Sequence, residues 1–163
     1  MKDFNLYIFD IETTDADIST CKMLESAILH VRNQEIIDKF YLRSNIPVPS
    51  KHVSRGHIPI PTIIPEHIVI KRTKEYLSTK AYPIVGWGLF FEYNFMKKHK
   101  YTLSNPKRDL MLIMRRKLNL KQNPSFDSIR QKYKISTDIA EPHTALGDVH
   151  LIYEFLKLLW KKG

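Results

Sequence analysis

The first 43 residues constrain the fold most, because they contain three apolar runs rich in β-branched and aromatic side chains. The runs are FNLYIFDIE (4–12), MLESAILHV (23–31) and EIIDKFYLR (35–43). This composition is typical of β-strands. Only the three residues RNQ separate the second run from the third, which predicts an antiparallel hairpin. The chain is therefore expected to begin with three strands of one sheet.

The rest of the chain shows helical patterns interrupted by one short strand. Five prolines lie between residues 45 and 65, so this segment is predicted to be an extended loop, not a regular helix or a central strand. Helices are predicted at 66–80, 90–99, 109–118, 123–133 and 144–160, with Ser125 as an N-cap, and a buried strand at 82–87. This order predicts one mixed α/β domain spanning residues 1–163.

Charge and composition narrow the function classes. The formal net charge is +9, with 26 Lys and Arg against 17 acids. This excess fits either solvated lysine faces or a polyanionic partner, because cations gain free energy by displacing counterions from phosphates. No apolar run reaches the roughly 18 residues needed to span a bilayer, and no secretory signal pattern is present. Cys21 is the only cysteine. We therefore expect a cytoplasmic protein without a membrane partner.

Two acids stand at the end of the first predicted strand, in the stretch IFDIETTD (8–15). Residues i and i+2 of a strand point to one face, so Asp10 and Glu12 are expected to project together. Ligand sites of open α/β sheets gather at the carboxyl ends of strands. Adjacent carboxylates repel each other unless a pKa rises or both share a cation, and hard divalent cations prefer oxygen ligands. The stretch indicates either a metal site or a polar turn.

A second stretch, HTALGD (143–148), places a loop histidine before an acid in the last helix. Histidine side chains titrate near neutral pH, which suits His143 to general-base catalysis. Ala145 and Gly147 are small enough to let the helix start lie close against another element. A histidine and an aspartate at this spacing are common by chance. Together with FDIETT, however, His143 and Asp148 favour a catalytic site.

Three stretches resemble a known superfamily. FDIETT, VGWGLFFEYNFM and HTALGD occur in the order, and at roughly the spacing, of the three motifs of the DEDD-type 3′–5′ exonucleases. The chain resembles the His-containing (DEDDh) branch, which includes bacterial polymerase proofreading subunits, RNase T and oligoribonuclease. The resemblance covers residues 4–160. It implies an RNase H-like fold, with a mixed central β-sheet of about five strands flanked by helices.

The resemblance also implies the chemistry of the acids. Asp10, Glu12, Glu92 and Asp148 would hold two divalent metal ions, Mg2+ or Mn2+, and His143 would be the general base. Two metals can activate water on one side of a phosphate and stabilise the leaving oxygen on the other. The implied reaction is hydrolysis at the 3′ end of single-stranded nucleic acid, DNA favoured over RNA, with release of nucleoside 5′-monophosphates.

Substrate contacts are implied for residues beside the acids. Thr13 and Thr14 would lie next to the terminal nucleotide, and the aromatic side chains of Trp87 and Phe91 would lie near it. The implied partners are 3′ ends of single-stranded DNA or RNA. A DNA polymerase partner and a homodimer are both compatible with the resemblance, and no residue indicates either.

The middle motif departs from the superfamily pattern, which reads Gly-His-Asn, two residues, Phe-Asp. The chain has GWGLFFE at 86–92, so Glu92 replaces the usual Asp, and Trp87 and Gly88 replace His-Asn. Glu92 keeps the charge and adds a methylene, and groups misplaced by about an ångström can lose about a hundredfold in rate. The chain could be an active exonuclease, slowed or tuned towards Mn2+. The alternatives are a catalytically weakened module that binds nucleic acid or a polymerase, and an unrelated scaffold with structural acids.

Further residues are weaker candidates for substrate contacts, with an ordinary structural role as the alternative for each. Aromatic side chains and basic grooves hold single strands, and histidines in a loop over the site can touch the substrate. These candidates are Phe95, Lys97, Lys98, Lys100, His52 and His57. We expect His99 and His150 to be surface residues.

Overall fold

The computed structural model describes residues 4–53 and 64–162 of the chain. Its sheet has five strands in the order β3-β2-β1-β4-β5. The strands are β1 (Asn5–Thr13), β2 (Met23–Arg32), β3 (Glu35–Arg43), β4 (Ile84–Gly86) and β5 (Lys107–Asp109). β1 pairs antiparallel with β2 and parallel with β4, so the sheet changes direction at its central strand.

Six helices accompany the sheet. They are α1 (Ser50–Val53), α2 (Glu66–Ser78), α3 (Phe90–Lys98), α4 (Leu110–Lys117), α5 (Phe126–Tyr133) and α6 (Ala145–Lys162). Apolar residues of α2 and α3 form one buried cluster with the sheet, and those of α4, α5 and α6 form a second cluster. The helices therefore cover both faces. Among the described residues, none of the helices has the length and apolar character that crossing a bilayer requires.

β1 lies at the centre of both clusters. Leu6 and Ile8 belong to the cluster with α6, whereas Tyr7 and Phe9 belong to the cluster with α2 and α3. All four side chains are buried. A strand covered on both faces is expected to be apolar at successive positions, which explains the run LYIF. The carboxyl end of β1, beyond residue 9, is where the polar residues begin.

The predicted architecture is confirmed in most elements. The β2–β3 hairpin, the mixed five-stranded sheet and the flanking helices are all present. Ser125 is the N-cap of α5, and its hydroxyl accepts a hydrogen bond from the Ser128 N–H. The helix predicted at 144–160 extends to Lys162, and the one predicted at 66–80 ends at Ser78.

Two elements differ from the prediction. β5 was not expected, because its sequence KRD has no apolar run, and it is a strand only through its backbone pairing with β4. The proline-rich segment was predicted to be wholly extended, yet α1 forms one helical turn in it. The Pro49 carbonyl accepts from the backbone of His52 and Val53, and proline is tolerated at a helix start. Residues 54–63 of that segment, including His57, lie outside the described residues.

Candidate active site

Three carboxylates converge at the carboxyl end of β1. Asp10 and Glu12 share one face of the strand, as predicted, and Asp148 comes from the first turns of α6. One oxygen from each of the three lies within 4.8 Å of the other two. Residues 138 positions apart in the sequence (148 minus 10) therefore meet in one cluster.

Close packing of its own preceding loop holds the start of α6. A Cβ added at Gly147 would lie 1.9 Å from the Glu141 carbonyl oxygen, so this position requires glycine. The Thr144 hydroxyl donates to that carbonyl at 2.6 Å and accepts from the Gly147 N–H at 3.0 Å. The backbone N–H of His143 donates to Asp148 Oδ1 at 3.0 Å. These contacts fix the Asp148 carboxylate relative to the loop that carries His143.

The fourth predicted acid, Glu92, lies buried in the first turn of α3. A tight connection brings this helix to β1, because a Cβ at Gly86 would lie 2.9 Å from the Phe9 carbonyl and 2.5 Å from Leu89 Cδ2. Glu92 is close enough to Asp10 for its negative charge to raise the pKa of Asp10. It is not one of the three acids whose oxygens converge within 4.8 Å.

Asp109 holds the α3 start from the end of β5. Its two carboxylate oxygens accept from the backbone of Gly88 at 3.1 Å and of Leu89 at 3.0 Å. It is also the N-cap of α4, accepting from the Met111 N–H at 3.0 Å. The sequence analysis missed this residue. An aspartate directly before an apolar helical pattern was the available signal, because it is a preferred N-cap.

The acids are electrostatically strained as they stand. Burial, with the neighbouring charges of Asp148, Glu12 and Glu92, raises the pKa of Asp10 well above its usual range. Burial raises the pKa of Glu92 to about 8, helped by the charge of Asp109. Burial raises the pKa of Asp148 to about 6, although the His143 backbone N–H and imidazole oppose the shift.

The donor set fits a hard divalent cation. Asp10 Oδ2 and Glu92 Oε2 are shielded from solvent, and neither has a hydrogen-bond partner among the described residues. A buried carboxylate oxygen without a donor is costly, and a cation would satisfy it and relieve the repulsion. Carboxylate oxygens are also the ligands that Mg2+ and Mn2+ prefer.

A fifth acid, Glu25, adds to this charge. It lies directly opposite Glu12 in the β1–β2 register and is buried. The Tyr41 hydroxyl on β3 donates to Glu25 Oε1 at 2.5 Å, and the charge of Glu25 contributes to the raised pKa of Asp10. Glu25 was not predicted. Its position opposite Glu12 depends on the β1–β2 register, which the predicted β2–β3 hairpin does not fix.

His143 lies beside the cluster, in a left-handed backbone conformation with φ of 63°. Its imidazole Nε2 is 3.0 Å from Oδ2 of Asp127 on α5, and its side chain is 49% exposed. Asp127 also pairs with Arg130 at 3.1 Å. The predicted base therefore lies five residues before Asp148 in the chain and close to it in space, and Asp127 of α5 orients its ring.

A cleft of about 300 Å3 opens next to Glu12. Thr13 and Phe91, both predicted substrate contacts, line it together with Lys51 and His52. The cleft therefore places an aromatic ring, a hydroxyl group and a cationic side chain next to one acid of the cluster. Lys51 was not predicted, and a lysine in a proline-rich loop gave no specific signal.

The other two predicted substrate residues are placed differently. Thr14 is adjacent to the cleft through its carbonyl, which lies 3.3 Å from His52 Nε2, and its hydroxyl accepts from the Lys22 N–H. Trp87 is half-buried and packs against the Phe126 ring at 4.9 Å. It does not line the cleft, so its visible contact is with α5.

The weaker candidates resolve into structural and exposed residues. Phe95 is fully buried in the core, and Lys98 Nζ donates to the Cys21 carbonyl at 3.1 Å. Lys97 and Lys100 are exposed. The surface prediction for His99 and His150 was wrong: both are half-buried, and burial lowers the pKa of each imidazole.

Known proteins share this architecture. The zinc-bound complex of Escherichia coli exonuclease I with single-stranded DNA matches 97% of this chain and 41% of exonuclease I, with a TM-score of 0.77 and 16% identity. Exonuclease X in complex with 5′-overhanging duplex DNA matches 97% of this chain and 92% of that chain, with a TM-score of 0.70 and 15% identity. The RNase H-like exonuclease fold and the resemblance to DEDD exonucleases at the level of the fold are confirmed.

Sequence similarity is more limited. The chain is 33% identical over 94 residues to the PolC-type DNA polymerase III of Staphylococcus aureus, a match that covers 58% of this chain. The chain spans about 6% of the length of that polymerase. No protein-family profile matches the chain.

Proposed function

We propose that the chain is a metal-dependent 3′–5′ exonuclease that removes nucleotides from the 3′ ends of single-stranded DNA. The observation that carries the proposal is the convergence of Asp10, Glu12 and Asp148, with buried Glu92 beside them, on a fold shared with exonucleases I and X. Both neighbours were solved with bound DNA, one of them with a single strand. That favours DNA over RNA as the substrate.

The four acids would hold two divalent cations. When bound, such cations lower the pKa of a water molecule and neutralise charge on the phosphate and the leaving oxygen. The chain supplies the geometry: β1 fixes Asp10 and Glu12 on one face, α6 brings Asp148, and the first turn of α3 brings Glu92. Water exclusion around the buried oxygens strengthens every electrostatic interaction at the cluster.

His143 would take the proton from the attacking water at an imidazole nitrogen. The side chain lies beside Asp148, and its contact with Asp127 orients the ring. The imidazole is half exposed, so it can exchange the proton with solvent after each turnover. Phe91 and Thr13, in the cleft next to Glu12, would hold the terminal base and sugar.

The test is release of mononucleotides. Purified protein with Mg2+ or Mn2+ should release nucleoside 5′-monophosphates from a 5′-labelled single-stranded oligodeoxynucleotide, and more slowly from the matched RNA. Asp10→Ala should abolish release, whereas Asp138→Ala, which removes an exposed acid outside the cluster, should leave it unchanged. The proposal fails if no mononucleotide appears from either substrate with either metal.

A second function is a nucleic-acid-binding module with weakened catalysis. One observation favours it: Glu92, longer than the usual aspartate, lies outside the 4.8 Å group and has a pKa of about 8. A partly protonated Glu92 would hold a cation poorly at neutral pH. This alternative predicts salt-sensitive DNA binding with little turnover in the native chain, and a gain of turnover in Glu92→Asp.

A further inference from the structure

A basic groove lies beside the first turn of α3, which also borders the cleft. It has a volume of about 370 Å3 and is formed where β5 meets the faces of α3 and α4. Phe90, Lys107, Arg108, Leu112 and Arg116 line it. Phe90 is 73% exposed and Leu112 is 39% exposed, so two large apolar side chains of the groove are open to solvent.

The lining of the groove carries three positive charges and one negative charge. Lys107, Arg108 and Arg116 are all exposed, and none of them forms an ion pair with any acid in residues 4–53 and 64–162. Asp109 is the one acid of the lining, and both of its oxygens already accept backbone N–H groups. The groove therefore presents three cations to a partner.

Two of these cations are held in place by their neighbours. Lys107 Nζ lies 4.7 Å from the centre of the Tyr93 ring, and the Arg108 guanidinium donates to the Lys107 carbonyl at 3.3 Å. The next arginine along α4, Arg115, is engaged elsewhere, because it donates to the Lys121 carbonyl at 3.1 Å. Arg116 is thus the arginine that α4 directs to the groove.

Position links the groove to the acid cluster. Phe91 lines the cleft next to Glu12, and its neighbour Phe90 lines the groove, so consecutive residues in the first turn of α3 border the two. An exposed aromatic ring among cations is the arrangement that holds single strands, through base stacking and phosphate contacts. A strand with its 3′ end in the cleft can pass over this turn into the groove.

We propose that the groove binds the single strand on the 5′ side of the nucleotides held at the acid cluster. Phe90 stacks on a base, and Arg108 and Arg116 bind phosphates. The inference rests on the proposed function for the direction of the strand. Its chemistry, an aromatic platform among three unpaired cations, selects a polynucleotide, since an acidic protein segment would use the cations without the ring.

Binding without cleavage tests the groove. Anisotropy of a labelled 20-nucleotide single strand would be measured in EDTA over a range of salt concentrations. Arg108→Ala/Arg116→Ala should weaken binding about tenfold and flatten the slope of log K against log salt by about 1.4, which is roughly 0.7 for each lost phosphate contact. Phe90→Ala should weaken binding at least about fivefold, the low end of base stacking.

A matched pair of arginines is the control. Arg32→Ala/Arg72→Ala removes two exposed arginines, one on β2 and one on α2, and should leave affinity and slope unchanged. Melting temperatures would verify that each variant is folded. The groove is refuted if its double variant binds like the native chain or like the control pair, or if the native chain does not bind the strand.

Turnover separates the two proposals. With metal present, the groove variants should raise KM for the 20-nucleotide strand and leave hydrolysis of a dinucleotide unchanged. Loss of binding in the groove variants without any hydrolysis by the native chain would keep the groove and overturn the exonuclease. Normal hydrolysis with unchanged KM in the groove variants would keep the exonuclease and overturn the groove.

Discussion

Two helix starts deliver acids to the end of β1, and they do so in different ways. The α6 start is packed against its own loop, and its acid, Asp148, receives a backbone N–H and lies beside a histidine. The α3 start is held by Asp109 from the neighbouring strand β5, and its acid, Glu92, is buried with Oε2 lacking a partner among the described residues. The fold partly compensates the charge of Asp148, whereas it leaves one oxygen of Glu92 without a donor among the described residues.

The largest effect should come from disturbing the α6 start. Gly147→Ala would place a methyl group 1.9 Å from the Glu141 carbonyl oxygen, so the loop or the helix must move. A shift of about an ångström at Asp148 should lower turnover at least about a hundredfold. Initial rates and thermal melts would measure it. Lys161→Ala, in the exposed last turn of the same helix, is the control. Full turnover in Gly147→Ala would show that packing here does not position the acid.

The uncompensated acid predicts a pH-dependent stability. Glu92 has a pKa of about 8 in the folded chain and one near 4.5 when unfolded, so the folded state binds the extra proton between these values. Metal-free stability should fall as pH rises through this range, by about 1.4 kcal/mol per pH unit at most from this group. The raised pKa values of Asp10 and Asp148 act in the same direction.

Replacing Glu92 isolates its contribution to the pH dependence of stability. In EDTA, Glu92→Gln should be more stable than the native chain at pH 8 and about equal at pH 5, because the amide never carries the buried charge. Mn2+ should stabilise the native chain more than the variant, since metal binding needs the carboxylate. Melting curves of both chains at pH 5 and pH 8, with and without Mn2+, measure these stabilities. Equal pH slopes for both chains would contradict the buried-charge explanation.

Replacing Asp109 should have a smaller effect, but it should lower both the unfolding free energy and the turnover rate. Asp109→Ala would leave the N–H groups of Gly88 and Leu89 without their acceptor and remove the N-cap of α4. The loss should be about 1–3 kcal/mol of unfolding free energy. Turnover should fall because the α3 start is loosened. Denaturant titration measures the first quantity, and Ser125→Ala, which removes only the cap of α5, is the matched control.

The smallest effect concerns the orientation of His143. Its contact with Asp127 is between side chains that are each more than a third exposed, and exposed pairs are weak. Asp127→Asn should therefore change turnover by no more than about fivefold, whereas His143→Ala should lower it much further. If Asp127→Asn lost as much turnover as His143→Ala, catalysis would require the contact between the two side chains.

The sequence predicted those parts of the molecule that follow from local periodicity. Apolar runs rich in β-branched and aromatic residues located three strands in residues 4–43, and helical spacing located α6. β5 could not be found, since a three-residue edge strand of charged residues needs only backbone partners. The same limit applies to Glu25, which is placed by the β1–β2 register, and to the contact of Asp109 with the α3 start, which follows from the pairing of β4 with β5.

For the site, the motifs located the acids, and geometry supplied what motifs do not contain. The convergence of Asp10, Glu12 and Asp148 follows from strand parity and the position of α6. The pairing of His143 with Asp127, and the packing of Trp87 against Phe126, depend on where α5 lies. No local pattern encodes the position of a short helix that follows a loop.

The separation of Asp10 and Asp148 in the chain has a consequence for synthesis and folding. The hairpin contacts of β1, β2 and β3 are local and can form early, whereas docking α6 on β1 closes a loop of most of the chain. Because α6 follows β1 by more than 130 residues, a nascent chain carries β1 long before it carries the third converging acid. The three-acid cluster can therefore assemble only after α6 has been synthesised.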